Sequence, residues 1–209
     1  MTTLIFQDAQ GYADFRTLVG RARTLDEDGA IRLQADGTVL AAYVGVLPGR
    51  GLLGGGAVVG LRATHLAESL ALDTTVALAA VQERLARAAS TVRLEVPPMT
   101  VQTAWAALTP PRHGWEPVGM LDANALVDVA RSGISEVAVG AGNAAGGHAV
   151  ADLRSRVWGR LTSTVPPVPA GAAFAAYALG FIQPDMPCMV AAHGRWTRLS
   201  SPRGHVLVS

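Results

Sequence analysis

Apolar positions recur at intervals of three and four between residues 15 and 25: Phe15, Leu18, Val19, Ala22 and Leu25 fall on one side, with Arg16, Arg21 and Arg23 elsewhere. That spacing predicts a helix, stopped at Asp26-Glu27-Asp28-Gly29 and preceded by a short strand at 3–6. The period then shortens to two. Residues 31–35 and 38–47 flank Asp36-Gly37, a pair suited to a tight turn with positive φ, and predict a β-hairpin. In it Val39 and Ala41 face opposite to Leu40 and Ala42. A glycine-rich connection at 49–56 leads to a strand at 57–63. Asp73 or Thr74 is then expected to cap a helix reaching Ala89, with Leu78, Val81, Leu85 and Ala88 on one face. Strands are expected at 92–96 and 100–107 around Pro97-Pro98.

Beyond Pro110-Pro111-Arg112-His113-Gly114-Trp115-Glu116-Pro117, where proline and glycine stop both periods, the pattern turns helical. Asp122 caps a helix carrying Leu126, Val129 and Ala130, and a second helical stretch holds Ile134, Val137 and Ala138. A third runs from Gly147 to Trp158, and a fourth presents Phe174, Tyr177, Ala178 and Phe181. Strands near 188–192, 196–199 and 205–208 close the chain. The expected class is α+β: a mixed strand and helix lobe at 1–109, a Pro/Gly-rich linker loop at 110–119, and a helical segment with terminal antiparallel hairpins at 120–209. At 209 residues the lobes are able to share one core.

Charge narrows the function classes. Only 16% of residues are charged, against about 25% in an ordinary soluble domain, which points to self-association. A net charge of +1 supplies no general field for nucleic acid or anionic lipid. All 17 basic residues are arginine. A phosphate loop needing lysine, a Schiff-base enzyme and an S-x-x-K acyl enzyme are therefore excluded. No stretch approaches about 18 uncharged apolar residues, the start lacks the charge and apolar run of a signal peptide, and the lone Cys188 forms no internal disulfide. These features lead to an expectation of a cytoplasmic protein without a membrane partner.

The motifs give several sites to weigh. Gly140-Ala141-Gly142-Asn143-Ala144-Ala145-Gly146 imitates a dinucleotide loop poorly, with the wrong spacing, G-x-G-x-x-x-G, and the reading favoured over it is a small-residue link between helices. Residues 130–139 have the outline of a helix-turn-helix, but Ser135 to Gly142 offer base edges only Ser135 and Glu136, so DNA recognition ranks third. The loop Arg112, His113, Trp115 and Glu116 gathers a cation, an imidazole, an aromatic ring and a carboxylate. The tail carries Arg195, Trp196, Arg198 and Arg203 and no acid after residue 186, an arrangement suited to an anion or to structural pairing. Neither a G-x-S-x-G elbow nor a patterned metal set occurs. His65 with Glu68, and Cys188 with His193 and His205, lack the spacing of complete ligand sets. No catalytic residue, metal or cofactor is assigned.

The strings Pro110-Pro111-Arg112-His113-Gly114-Trp115-Glu116-Pro117-Val118-Gly119 and Gly194-Arg195-Trp196-Thr197-Arg198-Leu199-Ser200-Ser201-Pro202-Arg203-Gly204-His205-Val206-Leu207-Val208, with Leu25-Asp26-Glu27-Asp28-Gly29, resemble a family of uncharacterised proteins from high-GC actinobacterial genomes. The resemblance implies a bacterial cytoplasmic origin and carries no activity. The expected function is a non-catalytic binding or interaction module, self-associating and taking a protein or small-molecule partner. The alternative is a small-molecule enzyme whose cleft assembles His113, Glu116 and Arg198.

Overall fold

A computed structural model describes residues 2–49, 55–87, 92–142 and 146–209. Most of the glycine-rich connection, the expected helix end at Ala88 and Ala89, and residues 143–145 lie outside them. The chain divides into two compact units, Met1–Pro48 with Val59–Thr109, and Gly49–Val58 with Pro110–Ser209. Helices and antiparallel strands make it an α+β protein, the class expected from the sequence.

The first unit contains β1 (Thr3–Ile5), α1 (Ala9–Leu25), β2 (Ala30–Asp36), β3 (Val39–Leu47), β4 (Val58–His65), β5 (Leu72–Ala77), α2 (Leu78–Arg87) and β6 (Arg93–Glu95). Strands β5, β2, β3 and β4 lie side by side in that order, while β1 pairs with β6. Helix α1 starts where the Asp8 carboxylate accepts the free Gly11 N–H at 2.7 Å, satisfying a donor that has no partner within the helix. It buries Tyr12, Phe15, Leu18, Val19 and Ala22, the side seen in the sequence. Phe6 meets the rings of Tyr12 and Phe15 at 5.3 and 5.2 Å. Full burial of such side chains stabilises by about 1.5–3 kcal/mol each. The β2–β3 hairpin buries Leu40 and Ala42 while leaving Val39 exposed, as the alternation requires. Its turn sits one residue later than expected. Asp36 pairs with Val39, so Gly37 and Thr38 make the bend, Gly37 at φ +64°.

Two expected elements are corrected. Asp73 and Thr74 do not cap a helix; they belong to β5, and α2 begins only at Leu78. The Asp73 carboxylate instead accepts from Arg32 and Gln34 on the neighbouring strand, and β-branched Thr74, Thr75 and Val76 suit that strand. The strand expected at 100–107 is a bridge between Thr100 and Val76, one bond from the Val101 N–H to the Thr75 carbonyl, and a single 3-10 turn at Ala104–Ala107. His65 lies at the end of β4 and Glu68 beyond it, so this pair is not on a helix.

The second unit contains β7 (Glu116–Leu121), α3 (Ala123–Gly142), α4 (Gly147–Gly159), α5 (Ala170–Ala178), β8 (Cys188–His193), β9 (Trp196–Ser201) and β10 (Gly204–Val208). Its strands run β10, β9, β8, β7. Residues 116–119, expected within the connection, are part of β7. Pro117 stands in a strand that pairs only with β8 among the described residues, the edge position where its missing N–H is tolerated. The two helical stretches expected after Asp122 are one helix. Gly133 does not turn the chain; a Cβ there would lie 2.3 Å from the Trp158 ring, and one at Gly140 2.5 Å from Leu153. These glycines let α4 approach α3. The helix-turn-helix outline is thereby overturned, and the glycine motif at 140–146 has a helix where a dinucleotide loop needs a preceding strand. Helix α5 is almost wholly buried, with Ala172, Ala173, Ala175 and Ala176 letting it sit close to its neighbours. Past its end, Phe181 lies over Gly204, whose φ of +153° and missing side chain make room for the ring.

Candidate functional site

The alternation of β7, β8 and β9 decides which candidate side chains meet. In the strand register Ala191 is opposite both Pro117 and Arg198, and His193 is opposite Trp196. Side chains two apart share a face, so His193, Trp196 and Arg198 leave from one face. Glu116, opposite Ala192 and in line with Thr197, leaves from the other. The trio His113, Glu116 and Arg198 thus does not converge as an enzyme cleft would require. His113 is exposed in the loop.

That loop is folded back on itself. The Trp115 indole Nε1–H donates to the Pro111 carbonyl at 2.9 Å. Gly114 takes φ +76°, and a Cβ on it would come within 3.1 Å of the His193 ring. His193 Nδ1–H donates to the Gly114 carbonyl at 2.7 Å. A carbonyl only accepts, so Nδ1 is the ring nitrogen that carries the proton of this contact. The Trp115 and His193 rings lie 6.0 Å apart.

Against this loop lies Arg198, its guanidinium carbon 4.6 Å from the centre of the Trp115 ring, close enough for cation–π attraction. The side chain is half-buried and its Nε is shielded from solvent with no hydrogen-bond partner. No acid among the described residues pairs with it. Burial lowers its pKa, yet a guanidinium keeps its charge throughout the physiological range. His205, on β10, is held below its ordinary pKa first by burial and then by the charge of Arg198. It is therefore neutral at pH 7, with Nδ1 2.9 Å from the Ser200 hydroxyl. In the sequence His205 stands out only as part of an incomplete metal set with Cys188 and His193, not in this role. Its place two strand steps from Arg198 across the Pro202-Arg203 turn was the available signal.

The other tail candidates are engaged elsewhere. Trp196 is buried, and Arg195 lies 5.7 Å over its ring. Arg203 flanks the last turn, where its backbone N–H donates to the Ser201 hydroxyl. Arg112 has an interaction of its own. Cys188 is buried at the far end of β8 from His193, and burial raises its thiol pKa, with Asp122 adding to the effect. It is a neutral thiol, unsuited to nucleophilic attack. No group of three or more metal-ligating side chains occurs among the described residues, and none of their helices is long and apolar enough to cross a membrane.

Fold and site together define an α+β chain of two units, the second of which holds a cation against an aromatic ring. The chain belongs to the family described as Domain of unknown function (DUF8010), whose model matches residues 1–107. The model of a further Domain of unknown function (DUF8185) matches residues 110–209. No curated protein matches the chain.

Proposed function

We propose that the chain is a non-catalytic binding module that takes small anions on Arg198. One observation carries this reading: a half-buried guanidinium stacked on Trp115, with a shielded Nε–H that has no acceptor, and a charge that has no paired acid, among the described residues. A buried donor left without an acceptor costs about 1–3 kcal/mol, and a carboxylate or phosphate oxygen is the group that removes this cost. The neutral His205 adds no second positive charge, so the site suits a single anionic group. Self-association and a cytoplasmic setting belong to the same reading and rest on the sparse charge and the reduced, buried Cys188.

Titration of the protein with sodium acetate and sodium phosphate, followed by amide chemical shifts, tests the site. Saturable shifts are expected at 114–116 and 197–199. They should weaken tenfold or more in Arg198→Met with the unfolding midpoint retained, and by less in Trp115→Ala. Unaltered binding in Arg198→Met, or no saturable shift at these amides, would overturn the proposal. Sedimentation should give a mass above 21.6 kDa at micromolar concentration; a monomer across that range would remove the self-association.

A further inference from the structure

The first unit carries a cleft where the sequence predicts an unbroken strand. After Val101 bonds to Thr75, the chain leaves the edge of β5 and closes the 3-10 turn at Ala104–Ala107. The space opened between β5 and the departing segment is about 440 Å³, within the usual range of small-molecule sites, about 300–1,000 Å³. We infer that this cleft binds an uncharged, polyhydroxylated small molecule of about monosaccharide size.

Both ends of the wall are held. At one end is the Val101–Thr75 hydrogen bond of 2.9 Å. At the other, Arg32 Nη1 donates to the Ala106 carbonyl at 2.9 Å, while Arg32 itself is gripped by both oxygens of Asp73 at 2.8 and 2.7 Å. Trp105 seats on Gly45, where a Cβ would stand 2.5 Å from the indole. A cleft whose walls are fixed in the free protein loses little entropy on binding.

The lining sets the chemistry. Its polar side chains are Thr75, Gln102 and Thr103, and Val101, Ala104, Ala106 and Ala107 make the rest apolar; none carries a charge. The nearby cation is neutralised by Asp73, so a charged ligand would shed water here without finding an opposite charge. Hydroxyls and a carboxamide both donate and accept, which matches a ligand bearing several hydroxyls. The Thr103 hydroxyl oxygen is shielded from solvent and has no hydrogen-bond partner among the described residues. One staggered step about its χ1 carries the hydroxyl to the site now held by its methyl group or its hydrogen, so a ligand hydroxyl is able to recruit it.

The test uses the full chain and myo-inositol and D-glucose as probes, with sodium acetate and methylammonium chloride as charged counterparts. Either neutral probe should shift the amides of residue 75 and residues 101–107 saturably in the millimolar range, and neither charged probe should do so. Thr103→Val, which removes the hydroxyl at nearly constant shape, should weaken that binding tenfold or more. Its unfolding midpoint should be equal to or above that of the parent, because an unpaired buried hydroxyl is lost. Ala107→Phe, filling the cleft, should abolish the shifts. The inference is overturned if neither polyol saturates, if acetate or methylammonium shifts these amides as strongly, or if Thr103→Val binds like the parent.

Discussion

Arg32 in the first unit and Arg198 in the second occupy similar settings on strands of antiparallel sheet, and their surroundings drive them in opposite directions. Arg32 has its guanidinium satisfied by both oxygens of Asp73 and by the Ala106 carbonyl, and the Asp73 hydrogen bonds, the largest influence, raise its pKa. Arg198 has a ring beneath it and no acceptor on Nε, and burial alone lowers its pKa. An arginine whose three nitrogens each donate within the fold, as those of Arg32 do, is structural. One that pays desolvation without hydrogen bonds is available to a ligand. The helix glycines divide in a similar way: Gly20 in α1 has open space where a Cβ would go, whereas Gly133 in α3 has the Trp158 ring.

The largest expected effect probes that second contrast. Gly133→Val should destabilise by about 3 kcal/mol through overpacking against Trp158, whereas Gly20→Ala should stabilise by about 0.5–1 kcal/mol. Chemical denaturation measures both, and equal effects at the two positions would break the comparison. Next comes the arginine pair. Arg32→Met should lower stability by about 1–2 kcal/mol, screening at the half-exposed Asp73 keeping the loss below that of a fully buried pair. Arg198→Met should leave the unfolding midpoint unchanged or raise it while removing anion binding. A loss of stability at Arg198 equal to that at Arg32 would make both arginines structural.

Gly37→Val should cost about 1 kcal/mol or more, because its φ of +64° resists a β-branched residue although nothing crowds the position. An unchanged thermal midpoint would remove the turn from the account of the hairpin. The smallest effect is the pH dependence from His205. Its folded pKa lies below the ordinary value of 6.5, so on acidification the unfolded chain takes up its proton first. Stability is fully present above about pH 6.5 and is lost as pH falls through the folded-state pKa. His205→Gln should flatten that acid limb in a series of denaturation curves, and an identical limb would place the titration elsewhere.

Much of the fold was legible because its signals are local. Phe15, Leu18, Val19 and Ala22 repeat with the period of a helix and are buried on one side of α1; Leu40 and Ala42 repeat with the period of a strand and are buried in β3. Half of the site was legible too, since Trp115 and Arg198 stood out by residue type. Their meeting was not, because it depends on β7 and β9 both pairing with β8, and β7 begins in a stretch rich in proline and glycine. The cleft at Thr103 was hidden behind strand-like alternation that continues after the chain has left the sheet.

The amino-acid sequence by itself determined the elements whose apolar period exceeds a turn or two, the class they compose and the exclusion of lysine chemistry, because each depends on residue type and near neighbours alone. Tertiary structure decided the rest. Asp73 became a strand residue because Arg32 lies beside it, and Ser132-Gly133 continued a helix because Trp158 fills the space a side chain would need. Arg198 kept its Nε–H open because no acid among the described residues pairs with it. Each of these outcomes turns on a contact between residues distant in the chain, for which local periodicity has no counterpart.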